Sequence, residues 1–111
     1  MDYQWFQEMD CAVTVCNEKA DIIYMNNKAI ATFVKDGQSL IGKNLKECHS
    51  KKSWDIIQKL LSDGGTNSYT IEKKGIKKLI YQTPWYKDGH IAGLVEISMI
   101  IPNEMPHYIR S

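Results

Sequence analysis

The chain has 111 residues, 43% of them hydrophobic and 24% charged, which places it among ordinary single globular domains and excludes a disordered tail or a two-domain protein. Fourteen basic against thirteen acidic side chains leave a net charge of +1, without the electrostatic footprint of a protein that grips nucleic acid or an anionic membrane. The longest uncharged apolar run, residues 97–102, is far short of the ~20 residues that span a bilayer, and the N-terminus lacks the basic start and apolar core of a signal peptide.

Cysteines at positions 11, 16 and 48 are odd in number and unpatterned, which points to reduced thiols in a cytoplasm rather than to a disulfide framework or a zinc ribbon. A domain of this size buries about two-thirds of its unfolded surface and needs no staples. No repeat, low-complexity tract or Pro/Ser-rich linker divides the chain. One domain over residues 1–111 is expected, with 1–10 as an N-terminal cap and 102–111 as a tail.

Tyr3, Trp5, Phe6 and Met9 fall near helical spacing and predict a short amphipathic helix over residues 1–10. Residues 11–16 alternate small and β-branched side chains, 17–21 supply turn chemistry and 22–25 are again β-prone, which predicts a hairpin. Asn26 offers an N-cap oxygen to a helix that turns Ala29, Ile30, Phe33 and Val34 inward and ends before Asp36-Gly37. Residues 39–49 form a packed connector with Leu40, Ile41 and Leu45 around a short helical turn. Ser53 is expected to cap the next helix, whose stripe of Trp54, Ile57, Leu60 and Leu61 stops at Gly64-Gly65.

The last third reads as two hairpins sharing a strand: 67–73, a Lys74-Gly75 turn, 76–86, an Asp88-Gly89 turn, and 90–101. With a two-residue loop at Asp88-Gly89, Tyr86 faces Ile91, Pro84 faces Gly93, and the missing N–H of Pro84 points where the first of these strands has already ended. This register puts Tyr69, Ile71, Ile76, Ile80, Tyr86, Ile91, Val95, Ile97 and Met99 on an expected core face, together with the polar Gln82. The other face carries Ser68, Thr70, Glu72, Lys77, Thr83, Glu96 and Ser98, with Glu72 opposite Lys77, but also Leu79, Tyr81, Trp85, Leu94 and Ile100. It is too apolar to be left wet; the N-terminal helix or a second copy of the chain is the expected cover.

This order of elements gives an α+β architecture, an antiparallel sheet with helices on one face. AVTVCN at 12–17, IIYMNNKA at 22–29, LIGKNL at 40–45 and DGHIAGLVEI at 88–97 together resemble the successive signatures of a PAS sensor domain, over nearly the whole chain. The resemblance implies a five-stranded antiparallel sheet in the order 2-1-5-4-3, helices enclosing a small-ligand pocket on one face, and an N-terminal helix on the other. Cys48-His49 further resembles a bacterial PAS subgroup with Cys-His-Pro at this place, Ser50 departing from it. The implied role is that of a stand-alone cytoplasmic signalling module, of the kind used in signal transduction and transcription regulation, which binds a small molecule, forms a homodimer and acts on a downstream protein.

The pocket candidates are Gln82, Tyr69, Met25, Asn44, Cys48, His49, Trp54 and Met99, and the dimer-interface candidates are Trp5, Phe6, Met9, Leu79, Tyr81, Trp85 and Leu94. Gln82 leads the first group, because an amide projecting into a core needs partners and is able to read a ligand. The alternative function is a haem or flavin redox or gas sensor using His49 and Cys48, since one imidazole can hold a haem iron. Photoactive flavin-binding relatives place their reactive cysteine directly after Gly-x-Asn, where this chain has Leu45, so no covalent cofactor is expected. His90 and His107 fall on a turn and a tail, too scattered to complete a zinc site. Lys73, Lys74, Lys77 and Lys78 read as a solvated, edge-protecting cluster. No Ser-His-Asp set, phosphate-cradling loop or paired carboxylate supports catalysis, which leaves a small pocket enzyme as the weakest reading.

Overall fold

The computed structural model describes residues 4–111, so Tyr3 of the expected N-terminal stripe lies outside the described residues. Among the described residues of the expected helix there is one 3-10 turn, Gln4–Phe6, and no helix follows it before β1 (Ala12–Asn17). The carbonyls that would continue a helix are used elsewhere: Phe6 O accepts from Asn26 Nδ2 at 2.9 Å and Gln7 O from Asn27 N at 2.9 Å. A helix this short has little stability of its own, and these two bonds outweigh it.

Five strands follow with three helices between them: β1 (Ala12–Asn17), β2 (Ile22–Met25), α1 (Asn27–Phe33), α2 (Leu45–Cys48), α3 (Lys51–Asp63), β3 (Asn67–Lys73), β4 (Ile76–Lys87) and β5 (His90–Ile101). They form one antiparallel sheet in the order β2-β1-β5-β4-β3, as the resemblance implies. Both expected tight turns are present. Lys74 and Gly75 have φ of 53° and 78°, Asp88 and Gly89 of 51° and 80°, the left-handed pair that a two-residue loop needs to match strand twist.

The register of β3 on β4 is as expected, with Tyr69 opposite Ile80 and Glu72 opposite Lys77. The register of β5 is not. A bulge after Ile91 leaves Ala92 without an opposite residue, so Trp85 faces Gly93 and Pro84 faces Leu94. Beyond the bulge every β5 side chain changes face. Val95, Ile97 and Met99, expected in the core, lie on the open face opposite Thr83, Tyr81 and Leu79. Leu94, Glu96, Ser98 and Ile100, expected outside, lie on the helix side. Pro84 still removes no ladder bond on its β3 side, because β3 begins at Asn67 opposite Gln82.

Two apolar clusters hold the helices to the sheet. Ala12, Ile22, Met25 and Ala29 pack under α1 with Val34, Leu40 and Leu45, while Cys16, Ile57, Leu60 and Leu94 pack under α3 with Trp54, Ile56, Leu61 and again Leu45. Leu45 therefore joins the two. In α1 only Ala29 is fully buried; Ile30 and Phe33, expected inward, stay substantially exposed, because the helix is under two turns long and meets the sheet through its smallest residue. The helix α3 starts a turn earlier than expected, with Ser50 rather than Ser53 as its N-cap; the Ser50 oxygen accepts from Ser53 N. Gly64, at φ 82°, ends it.

Asn26 fixes the junction between strap, sheet and α1. Its Oδ1 accepts from Val13 N and Ala29 N at 2.9 and 3.0 Å, and its Nδ2 donates to Phe6 O and Cys11 O at 2.9 and 2.8 Å. The connector before α2 closes one sheet edge, where Ile22 N donates to Lys43 O and Ile22 O accepts from Gly42 N. On the open face Trp85 lies across Gly93 and donates its indole N–H to Cys16 O at 3.0 Å. A Cβ on Gly93 would stand 1.9 Å from that oxygen, so only glycine permits the crossing.

Candidate functional site

The helix-side face of the sheet carries one row of residues running across all five strands: Asn67, Gln82, Glu96, Thr14 and Met25. Asn67 Nδ2 donates to Gln82 Oε1 at 2.9 Å, and Gln82 Nε2 donates to Glu96 Oε1 at 2.8 Å. The carboxylate at the end can only accept, which fixes the orientation of both amides. Gln82 is thus buried and satisfied.

Facing this row, α1, the connector and α2 leave a cavity of ≈ 320 Å³ lined by Thr14, Ile22, Met25, Phe33, Leu40, Leu45, Cys48, His49 and Glu96. A cleft of ≈ 340 Å³ continues past His49 between α3 and the β3–β4 pair, along Asn67, Tyr69 and Gln82. A hollow of ≈ 40 Å³ between them touches His49, Gln82 and Glu96. His49 borders all three spaces. Its Nδ1 lies 2.9 Å from Leu45 O, a group that only accepts, so Nδ1 carries a proton and, in the neutral ring, Nε2 keeps its lone pair.

Tyr69 stands near the same carboxylate, and its phenol is held above its ordinary pKa first by burial and second by the negative charge of Glu96. Burial likewise pushes the Cys16 thiol up and leaves it a packing residue. Cys48 is exposed, its Sγ 3.8 Å from Asn44 O. Among the described residues no three His, Cys, Asp or Glu side chains converge on a point fit for a metal ion.

Gln82, Tyr69, Met25, Cys48 and His49 therefore border one connected region. Three other pocket candidates do not. Asn44 is committed to capping α2 and to Lys19 O and Asp21 Oδ1 at 2.8 and 2.9 Å. Trp54 packs on the Cys16 cluster and borders a separate depression with Leu61. Met99 is on the open face by the β5 bulge. Glu96, Thr14 and Asn67 are the residues that sequence reasoning missed; the signal was the one carboxylate of β5 and the one hydroxyl of β1.

Of the interface candidates, Leu79, Tyr81 and Trp85 lie on the open face, beside half-buried Val13, Val15, Val95, Ile97 and Met99. Leu94 does not; it is buried against Cys16 and Ile57. Trp5 is exposed and stacks edge-on to Phe6, which in turn packs edge-on to Tyr24 at 5.5 Å. The N-terminal strap is tied to the β2 end of the sheet, where Tyr24 donates to Gln7 Oε1.

No family model matches the sequence, and no curated protein matches it. Solved structures do. The PAS domain of the histidine kinase ThkA is similar at 16% identity with a TM-score of 0.66, over 82% of this chain and 99% of that one. A sensory box sensor histidine kinase from Vibrio cholerae is similar at 14% identity and TM-score 0.62, over 89% and 86% of the two chains. The Aer2 receptor from Vibrio cholerae, described as a dual PAS-heme oxygen sensor, is similar at 11% identity and TM-score 0.60, over 83% and 95%. At such identities it is the fold that is shared: the strand order, the helices laid over one face and these three likenesses together show that this chain has the fold of PAS domains.

Proposed function

We propose that this domain is a sensory module that holds a small molecule between the sheet and α1–α2 and signals through association of the open faces of two copies. The observation that carries the reading is the cavity of ≈ 320 Å³, within the range of small-ligand sites, apolar along Ile22, Met25, Phe33, Leu40 and Leu45 and polar at Glu96 and His49. Apolar walls with a few converging polar groups are the usual make-up of such sites.

Association is supported by the open face. Leu79, Tyr81, Trp85, Val95, Ile97 and Met99 form a contiguous apolar surface, and the strap reaches only its β2 end. A two-fold contact would bury this patch against itself, with aromatic anchors at Tyr81 and Trp85 and with Trp5, Phe6 and Met9 at its border. Native mass spectrometry of protein purified from its own host reads both halves: a retained small molecule and a dimer are expected. An empty monomer at micromolar concentration overturns the proposal. Tyr81→Glu should give a folded monomer and Lys73→Glu should not; a Tyr81→Glu dimer removes the open face as the interface.

A second reading, a haem or flavin sensor, is favoured by one observation, the Nδ1–H of His49 bound to Leu45 O, the support that a ligating imidazole commonly has. A haem is larger than the ≈ 320 Å³ beside His49, so α1 and α2 would have to move apart to admit it. A visible Soret or flavin band in the same preparation selects this reading over a colourless ligand.

A further inference from the structure

We infer that the ligand of this cavity carries a positively charged, N–H-donating nitrogen that docks on Glu96, with an apolar body lying against Met25 and Leu45. This deepens the ligand-pocket reading and rests on it. Glu96 is only partly exposed, on the helix side of a central strand between buried Leu94 and Ser98. A carboxylate so placed is unfavourable unless paired with a cation or well hydrogen-bonded.

Among the described residues the ion pairs are Lys28 with Asp10 and Lys51 with Asp55, and neither involves Glu96. Its one hydrogen bond among the described residues, from Gln82 Nε2, falls on Oε1, and Glu96 itself lines the cavity. Gln82 is in turn held by Asn67, so the carboxylate is aimed by a fixed chain of donors rather than by a flexible contact. With its Nδ1–H committed to Leu45 O, His49 presents Nε2, an acceptor in the neutral ring. The Thr14 hydroxyl beside them can accept or donate, and no lysine or arginine lines this cavity. It selects for donors and against anions, while Met25, Leu40 and Leu45 select for an apolar remainder.

Three probes of nearly the same shape test this: benzamidinium, neutral benzamide and anionic benzoate, titrated into the full chain and into Glu96→Gln with amide NMR shifts of Met25, Leu45 and Glu96 as readout. Benzamidinium should bind the parent protein about tenfold or more tightly than benzamide, the factor expected of a charge-assisted hydrogen bond. Benzoate should leave the spectrum unmoved. Glu96→Gln should erase the preference for benzamidinium while still binding benzamide, which shows that the variant is folded with its cavity intact. Equal binding of benzamidinium and benzamide to the parent, or a preference that survives in Glu96→Gln, overturns the inference and leaves the pocket standing. If none of the three moves the cavity amides, the pocket reading fails and the inference falls with it.

Discussion

Replacing Asn26 by alanine should be among the most damaging single polar substitutions in the domain, and its size follows from four bonds. The side chain is 0% exposed and serves two N–H groups and two carbonyls. Truncation leaves Val13 N and Cys11 O without their partner in a buried setting, at about 1–3 kcal/mol each, and removes the cap on Ala29 N, at about 1 kcal/mol. Phe6 O sits on a partly exposed strap and can turn to water, so it adds little. The expected loss is about 3–7 kcal/mol, a large share of the ~5–15 kcal/mol that holds a typical domain. At about 4 °C per kcal/mol for a chain of this length, the midpoint should fall by roughly 12–28 °C. Urea titration followed by far-UV dichroism measures it, and Asn26→Ser, which keeps an acceptor for the cap, should fall between the two. A loss below about 1 kcal/mol for Asn26→Ala would refute the assignment of these groups as buried and dependent on this side chain.

Three further outcomes are expected. Gly93→Ala should destabilise the domain by about 2–3 kcal/mol and shift tryptophan emission to the red, because the new Cβ displaces the Trp85 indole from Cys16 O; an unchanged emission maximum would contradict that crossing. Ile57→Asp places an unpaired charge at a position 2% exposed beneath α3 and should abolish the cooperative melt; a melt near the parent midpoint would remove that stripe from the core. The Tyr69 phenol, raised by burial and by Glu96, supports the fold at pH below its unfolded pKa and loses that contribution as pH rises through the higher folded value. In Glu96→Gln it should ionise at lower pH than in the parent, read from its Cζ resonance, and an unmoved titration would separate the two side chains.

The parts of the fold that were legible in the sequence are those where a local rule acts alone. Lys74-Gly75 and Asp88-Gly89 announce their turns through the backbone they require, and Asn26 its cap. β3 and β4 alternate well enough to sort their faces, so Gln82 and Tyr69 were placed correctly. β5 was not, for a physical reason. Leu94, Val95, Ile97, Met99, Ile100 and Ile101 are apolar on both faces, because one covers the core and the other forms the open surface, so no period survives to fix the phase. The remaining clue was Gly93, an isolated glycine in a strand, which often marks a bulge. Missing that bulge misplaced Met99 and Leu94 and hid Glu96, the carboxylate of the candidate site. The N-terminal helix failed differently: its apolar spacing was real, but Asn26 and Asn27 claim the carbonyls it needed from a distance of some twenty residues in sequence.

The two ends of the sheet are unequal, and this limits how copies of the domain can join. At the β2 end the strand is four residues long, and Ile22 already exchanges both its backbone groups with Lys43 and Gly42, so a foreign strand meets a connector there. At the β3 end seven residues form an uncovered edge, but Glu72, Lys73 and, across the turn, Lys74 and Lys77 put charge along its far half. A strand added there must bring matching charge or stop near Thr70. Continuous lengthening of the sheet from molecule to molecule needs two receptive edges, and this protein has at most one, so edge pairing ends at a pair of chains and cannot propagate into a fibre.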